Sequence, residues 1–220
     1  QTKIVVTLSD HRSDKMFIQK LFAAGMNVAR INTAHTSIEN ADKVIDTIRE
    51  VSDKIAILID TKGPEIRTCG MQKEISVTEG EEIRFSHSNN VSVKTDVCVN
   101  HPNFVYDLKV GDRILIDDGY VAAVVKEKHD EHLICRIENT GTIKNNKSIN
   151  VPGVVTNLPA LSGKDKKFIQ FAAEKDVDFI AHSFVRNKDD IFAVQELLNK
   201  YNSDIKIIAK IENLDGVENI

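Results

Sequence analysis

The order of apolar segments predicts an α/β protein whose parallel sheet is interrupted by a small antiparallel β domain. Up to residue 60, short apolar runs alternate with segments that have apolar residues at three- and four-residue spacing, and this alternation returns near Leu158. Between these parts the segments are short, rich in β-branched residues and separated by turn pairs such as Asp118-Gly119. Alternating strands and helices require parallel strands joined by right-handed crossovers, so the middle part is expected to be an insertion.

Five short apolar runs are the predicted strands of the parallel sheet, and they cover residues 3–8, 27–31, 55–59, 177–181 and 205–209. Ser13 is placed to cap the first helix, and Gly25 is placed to end it. Ser162 with Asp165 predicts a capping box at the start of the helix that follows the insertion.

Composition excludes several classes of function. The chain has 220 residues, a net charge of −4 and 28% charged residues, which gives no electrostatic basis for binding nucleic acid or an anionic membrane. No apolar run reaches the length of a membrane span. The three cysteines are odd in number and argue against a disulfide framework, so we expect a cytoplasmic protein. Because the chain lacks an initial Met, we also expect a piece of a longer protein.

Polar side chains follow four of the predicted strands directly. In barrels of alternating strands and helices, catalytic groups lie at the carboxyl ends of the strands. A single charged residue there is ordinarily a solvated loop group, but four successive strand ends predict a site. The residues are Arg30 and Asn32, Asp60 and Thr61, Ser183, and Lys210 with Glu212.

These residue types indicate a site that binds an anion together with a metal ion. Arginine and lysine suit phosphate or carboxylate groups, whereas Glu212 with Asp60 suits hard cations. Phosphoryl transfer combines the two, because its transition state needs positioning and charge neutralisation. The sequence has no Walker motif and no kinase glycine loop.

Six sequence runs closely resemble the pyruvate kinase family, in the same order and across essentially the whole chain. They are MNVARINTAH (26–35), IDTKGPEIRT (59–68), ILIDDG (114–119), NLPALSGKD (157–165), VDFIAHSFVR (177–186) and KIIAKIEN (206–213). The resemblance implies a partial TIM (β/α)8 barrel, the A domain, formed by residues 1–67 and 157–220. Residues 68–156 would form the inserted antiparallel β-barrel, the B domain.

The resemblance also implies roles for individual residues. Lys210 would be the catalytic lysine, stabilising the phosphoryl group and the enolate oxygen, and Arg30 would join it in binding phosphoenolpyruvate. Glu212 would be one ligand of Mg2+ or Mn2+, with the second carboxylate later in the family's chain. The expected K+ ligands are Asn32, Asp60 and Thr61, and the expected nucleotide contacts are Asn32, His35, Arg67 and Lys147.

Three departures from the family pattern affect the cation and nucleotide sites. Ala34 replaces the serine that supplies a fourth K+ ligand, and Thr36 replaces a glycine. Glu65 is the residue carried by K+-dependent members, so we expect K+ dependence with a weaker or water-completed site. The run TLSDHR (7–12) replaces the usual TIGPAS on the nucleotide side.

The expected function is phosphoryl transfer from phosphoenolpyruvate to ADP in glycolysis, by a full-length homotetramer. This chain alone is expected to be inactive, because half of the metal site would be missing. One alternative is another phosphoenolpyruvate or pyruvate barrel enzyme, which would need no inserted domain carrying Lys147. A second is a degenerate binding module, which Ala34 and the altered run 7–12 favour.

His129, His132 and Cys135 have a spacing that resembles a zinc motif. They lie at a predicted hairpin, where residues three apart along one strand point to opposite faces. The sequence therefore favours no metal site at these residues.

Overall fold

A computed structural model of the chain describes residues 2–9, 12–87, 96–154 and 158–220. The chain divides into two compact units, the first formed by Gln1–Pro64 with Pro159–Ile220 and the second by Glu65–Leu158. In chain order the elements are β1 (Ile4–Leu8), α1 (Lys15–Ala23), β2 (Met26–Asn32), α2 (Ile38–Val51), β3 (Ala56–Asp60), β4 (Ile66–Cys69), β5 (Ile75–Val77), β6 (Glu82–Ser86), β7 (Asp96–Val99), α3 (Phe104–Asp107), β8 (Arg113–Ile116), β9 (Val121–Lys128), β10 (His132–Ile137), β11 (Gly141–Ile143), β12 (Ser148–Asn150), α4 (Gly163–Glu174), β13 (Phe179–His182), α5 (Lys188–Lys200), β14 (Lys206–Ala209) and α6 (Leu214–Glu218).

The first unit is built on a five-stranded parallel sheet in the order β1-β2-β3-β13-β14. Each strand pairs with the next strand that the alternating pattern predicted, so the partial (β/α)8 architecture is confirmed. Within the described residues β1 and β14 are the two edges of this sheet, and both expose apolar side chains, including Val5 and Ile208. Open edges of this kind are what five strands of a larger barrel leave.

The helices of the first unit pack an apolar stripe against this sheet. In α2 the buried residues Ala41, Val44, Ile45 and Ile48 recur at three- and four-residue spacing, as an amphipathic helix requires. They join the strand residues in one apolar core. This packing holds the sheet in place below the loops that follow the carboxyl ends of its strands.

The caps of α1 and α4 decide where these helices begin and end. The cap of α1 is Asp14, whose side chain accepts a hydrogen bond from Phe17 N at 3.0 Å, so the expectation of Ser13 was wrong by one residue. Gly25 follows the end of α1 with a φ of 101°, a conformation that suits glycine. The capping box of Ser162 and Asp165 is confirmed, since both reciprocal hydrogen bonds are present.

The second unit contains a closed seven-stranded barrel in the order β10-β6-β7-β4-β12-β8-β9, with a separate ribbon of β5 and β11. Phe85 and Phe104 lie in its apolar core, with ring centroids 6.3 Å apart. The pair β6–β7 is parallel, so the barrel is mixed and not wholly antiparallel as expected. A local alternation pattern carries no information on the direction of a distant partner strand, which explains the difference.

No helix among the described residues is long and apolar enough to cross a membrane.

Candidate functional site

Four neighbouring strand ends of the first unit carry the polar residues that the sequence singled out. Asn32 is in register with Asp60, and Asp60 is in register with Ala181 of β13. His182 at the end of β13 is in turn aligned with Ala209 of β14. The carboxyl ends of these strands therefore form one edge, as the (β/α)8 architecture requires.

Asp60 is the buried anion at the centre of this edge. Arg30 Nε donates to Asp60 Oδ2 at 2.7 Å, and Lys210 Nζ lies 3.2 Å from Asp60 Oδ1. Only 3% of the Asp60 side chain is exposed, compared with 32% for Arg30 and 29% for Lys210. The carboxylate is thus paired on both oxygens, which offsets the cost of burying its charge. The two cations remain partly open to solvent.

Three oxygen atoms hold the ammonium group of Lys210 in place. Measured from Lys210 Nζ, they are Ser183 Oγ at 2.8 Å, Asp60 Oδ1 at 3.2 Å and Glu212 Oε1 at 3.2 Å. An ammonium has three protons, so each oxygen can accept one of them. The long, flexible side chain is therefore held in one position beside the cationic Arg30.

Ser183 connects Lys210 to the backbone directly after β3. No role was assigned to Ser183 from the sequence. Its hydroxyl donates to Thr61 O at 2.6 Å, which leaves the oxygen free to accept from Lys210. The residue is 4% exposed. Its position directly after β13 was the one sequence signal, and a lone serine at a strand end does not indicate which groups it contacts.

Gly63 allows the loop after β3 to approach Ser183. Its φ is 71°, and a Cβ atom added there would lie 2.8 Å from the Ser183 carbonyl oxygen. Gly63 N also donates to Asp165 Oδ1 at 3.3 Å. The capping carboxylate of α4 therefore also ties down the loop that carries the site.

Glu212 is the one acidic side chain of the site that is not deeply buried. Its Oε2 accepts a hydrogen bond from Phe184 N at 3.0 Å, and its side chain is 35% exposed. Phe184 has a φ of 58°, an uncommon backbone conformation for a residue other than glycine. The loop after β13 is thus turned so that its amide points at this carboxylate.

The loop after β2 brings together Asn32, Ala34 and His35. Asn32 Oδ1 accepts from Ala34 N at 2.9 Å, which forms a tight side-chain turn. The side chain of His35 is exposed. Thr33 is fully buried, and its hydroxyl has no hydrogen-bond partner among the described residues. This orphaned oxygen lies beside Asn32, in the segment where the family serine is missing.

His182 supports the site from inside the protein. It is 1% exposed, and its Nδ1 lies 3.1 Å from Thr61 Oγ1. Burial lowers the pKa of His182, although the charges of Asp165 and Asp190 act in the opposite direction. The ring is therefore neutral near pH 7 and forms a hydrogen bond that fixes Thr61.

The expected nucleotide contacts of the second unit are Arg67, in β4, and Lys147, which directly precedes β12. Arg67 Nε donates to Glu65 Oε2 at 2.8 Å, and Lys147 Nζ lies 2.9 Å from Asp117 Oδ2. Lys147 N also donates to Thr68 Oγ1 at 2.8 Å. Each of these two cations is therefore paired with a carboxylate of the second unit.

The described residues contain no group of three or more histidine, cysteine, aspartate or glutamate side chains arranged to hold a metal ion. At the strand ends of the first unit, oxygen atoms of different kinds are present. Asn32 has an amide oxygen, Asp60 a carboxylate and Thr61 a backbone carbonyl. Oxygen atoms of this type are the ligands that hard cations prefer.

Comparison with known proteins places this arrangement in a family. The family profile described as "Pyruvate kinase, barrel domain" matches residues 1–220. A protein named pyruvate kinase from Borreliella burgdorferi is 48% identical over 220 residues, covering 100% of this chain and 46% of the relative. Proteins of the same name from Staphylococcus epidermidis and Bacillus licheniformis are both 41% identical, over 227 and 228 residues, covering 100% of this chain and 39% of each relative.

The chain thus spans less than half the length of the curated relatives it matches. The match is continuous from residue 1 to residue 220 and includes both units. The family match covers the whole chain, and the parallel strands align these residues at one edge of the sheet. The chain therefore belongs to the pyruvate kinase family and corresponds to part of its barrel domain.

Proposed function

We propose that the full-length protein transfers a phosphoryl group from phosphoenolpyruvate to ADP, giving pyruvate and ATP. The observation that carries this proposal is the position of Lys210, held by three oxygen atoms beside Arg30 at the carboxyl edge of the sheet. Two partly exposed cations around one buried carboxylate form a receptor for a multiply charged anion.

The roles of the two cations follow from their shapes. The planar guanidinium of Arg30 binds two phosphoryl oxygens at once, since it presents parallel N–H groups. The ammonium of Lys210 is a compact charge that can follow the phosphoryl group during transfer. As an ADP oxygen bonds to phosphorus and the bond to the enol oxygen breaks, negative charge grows on that oxygen. Lys210 stabilises this charge where it develops.

Ser183 and Asp60 act as positioning residues for these cations. Lys210 would otherwise adopt many conformations, and the cost of ordering it would fall on the transition state. The contacts at 2.8 and 3.2 Å fix its nitrogen before substrate arrives. Preorganised charge of this kind needs no rearrangement at the moment of transfer.

Glu212 is the residue of this chain that would hold a divalent ion, Mg2+ or Mn2+. It is a carboxylate at the rim with a side chain that is 35% exposed, which suits a hard cation that keeps several water ligands. A bound ion would neutralise the charge on substrate oxygens. The remaining protein ligand would come from the part of the full-length protein outside this chain.

Asn32, Asp60 and Thr61 are the residues that would hold K+. Their three oxygens are of the right chemical type, and Ala34 contributes none in place of the family serine. The hydroxyl of Thr33, in the same loop, has no hydrogen-bond partner among the described residues. Its oxygen atom is therefore a further potential ligand in this loop. A bound K+ would add positive charge near the phosphates, with water completing its coordination.

The proposed nucleotide contacts are His35, Asn32, Arg67 and Lys147. Arg67 and Lys147 are each paired with a carboxylate, and these pairs keep the side chains extended until phosphates replace the carboxylates.

The expected partners are therefore the small molecules phosphoenolpyruvate and ADP, and the expected assembly is a homotetramer of the full-length protein. A cytoplasmic location remains part of the proposal. It is supported by Cys69, Cys98 and Cys135, all of which are free thiols.

Pyruvate formation by the purified full-length protein tests the proposal. Phosphoenolpyruvate and ADP are supplied with Mg2+, with and without K+, and pyruvate is measured. We expect turnover that requires ADP and Mg2+ and increases with K+. Failure to form pyruvate under all of these conditions would contradict the proposal. If phosphoenolpyruvate binding persisted without turnover, the result would favour the degenerate binding module that Ala34 suggests.

A further inference from the structure

The hairpin between β9 and β10 brings two histidines face to face on the second unit. His129 N donates to His132 O at 2.9 Å, with only two residues between them. The strand register pairs Lys128 with Leu133, so His129 and His132 are the next pair toward the turn. His129 directly follows β9 and His132 begins β10, and residues opposite each other across a hairpin point to the same face. The expectation from sequence that they point to opposite faces was wrong.

The two imidazole rings are stacked. Their centroids are 4.4 Å apart and their planes differ by 12°. The side chain of His129 is 47% exposed, so the pair is open to solvent. Cys135 is fully buried, which separates it from the pair and removes the apparent zinc motif. What remains is a pair of imidazoles held at fixed separation by the hairpin backbone.

Glu127 orients one of these rings. Its Oε2 lies 3.4 Å from His129 Nε2, and it precedes His129 by two residues on the same strand face. When Nε2 carries the proton and donates to this carboxylate, Nδ1 of His129 keeps its lone pair. A carboxylate behind a histidine is the usual support of a metal ligand in proteins.

Charges of both signs surround the pair. Arg84 opposes a positive charge on His132, and Asp96, which lies 3.8 Å from Arg84, partly offsets it. The hairpin segment from Lys126 to His132 has three carboxylates, Glu127, Asp130 and Glu131, and two lysines, a net charge of −1 apart from the histidines. The two imidazoles, and not a strongly negative surrounding, are therefore the groups that would bind a metal ion.

We propose that His129 and His132 form a surface binding site for a divalent transition-metal ion, of the class that prefers imidazole: Cu2+, Ni2+ or Zn2+. A small rotation of the exposed rings turns one lone pair of each toward a shared ion, and water fills the remaining positions. Imidazole ligands do not suit Mg2+, so this site is chemically distinct from that of Glu212. It is independent of the phosphoryl-transfer proposal.

The test uses the full-length protein with Ni2+ alone as the probe, in excess Mg2+ and without nucleotide. Equilibrium dialysis gives the number of Ni2+ ions bound per chain for the wild type, His129→Gln, His132→Gln and the control Glu196→Gln. The control keeps both imidazoles and the hairpin charges and changes an exposed side chain of α5. We expect the wild type and the control to bind one more Ni2+ ion per chain than either histidine variant. Cu2+ should bind more tightly than Ni2+.

Equal Ni2+ binding by the wild type and both histidine variants would overturn the proposal. Far-UV circular dichroism and thermal unfolding first establish that the variants are folded. If one histidine variant fails to fold, the wild type and the other variant are compared by electron paramagnetic resonance with one equivalent of Cu2+. We expect Cu2+ to couple to two imidazole nitrogens in the wild type and to lose this coupling in the variant. If the variant kept the same coupling, the site would be refuted.

Discussion

The ammonium nitrogen of Lys210 lies 2.8 Å from the hydroxyl oxygen of Ser183. The proton of that hydroxyl points to the carbonyl oxygen of Thr61, at 2.6 Å. One small side chain therefore connects the proposed catalytic lysine to the backbone of the neighbouring strand. If the lysine must be held in place for phosphoryl transfer, removing this hydroxyl lowers kcat without removing any charge.

Ser183→Ala is expected to reduce kcat for pyruvate formation by roughly 10- to 100-fold, because a hydrogen bond to a charged group contributes about 1.5–3 kcal/mol. The KM for ADP should change little. Ser183→Thr, which keeps a hydroxyl, should recover part of the rate, and Ser203→Ala before β14 serves as a control. An unchanged kcat in Ser183→Ala would show that the hydroxyl does not position Lys210.

Gly63→Ala is expected to destabilise the protein by about 1–3 kcal/mol, since alanine at positive φ is strained. The added Cβ would also lie 2.8 Å from the Ser183 carbonyl oxygen. Gly163→Ala is the matched control, because its Cβ would meet no atom within 4 Å at the start of α4. Thermal unfolding should show a lower Tm for Gly63→Ala only. Equal Tm values for the two variants would contradict the geometry of this loop.

Asp190 makes stability depend on pH. Burial acts to raise its pKa, but hydrogen bonds from Arg186, at 2.9 and 3.0 Å, outweigh burial and lower the pKa. As the pH falls, Asp190 is therefore protonated at a higher pH in the unfolded chain than in the folded chain. The stabilisation is complete above about pH 4–5 and is lost as the pH falls through the lowered pKa.

Thermal unfolding of Asp190→Asn and the wild type across this range tests the assignment. The difference in Tm should be largest at neutral pH and should shrink in acid. A difference that stays constant from neutral pH into acid would mean that the Asp190 carboxylate does not carry the effect.

Thr33→Val replaces a fully buried hydroxyl, which has no hydrogen-bond partner among the described residues, by a methyl group of similar size. In a K+-free buffer this change should stabilise the protein by roughly 1 kcal/mol, because burying a polar group without a hydrogen bond is costly. Thr47→Val is the control, because the half-buried hydroxyl of Thr47 donates to Lys43 O at 2.7 Å, and this change should not stabilise the protein. A loss of stability in Thr33→Val would reveal that its hydroxyl has a partner.

The sequence predicted the strand-end residues well because they depend on a local pattern. An apolar run followed by Asp60 and Thr61 ends a strand wherever it occurs, and a parallel sheet aligns such ends. The capping box of Ser162 and Asp165 was also predictable, since its hydrogen bonds span only three residues.

The errors concern contacts between segments that are distant along the chain or across a turn. The role of Ser183 depends on β3 and β14, which approach it only in the folded sheet. The parallel pairing of β6 with β7 is likewise absent from any local pattern. His129 and His132 were placed on one strand, whereas a turn separates His129, just after β9, from His132 at the start of β10.

The most direct test of the account compares two lysines at opposite ends of β14. Lys210 follows the strand at the proposed site, whereas Lys206 begins it and is exposed. In the full-length protein, Lys210→Ala should lower kcat for pyruvate formation by about 10²- to 10³-fold, because it removes a charge that stabilises the transition state. Lys206→Ala should retain the activity of the wild type. Equal activity of the two variants would contradict the central claim.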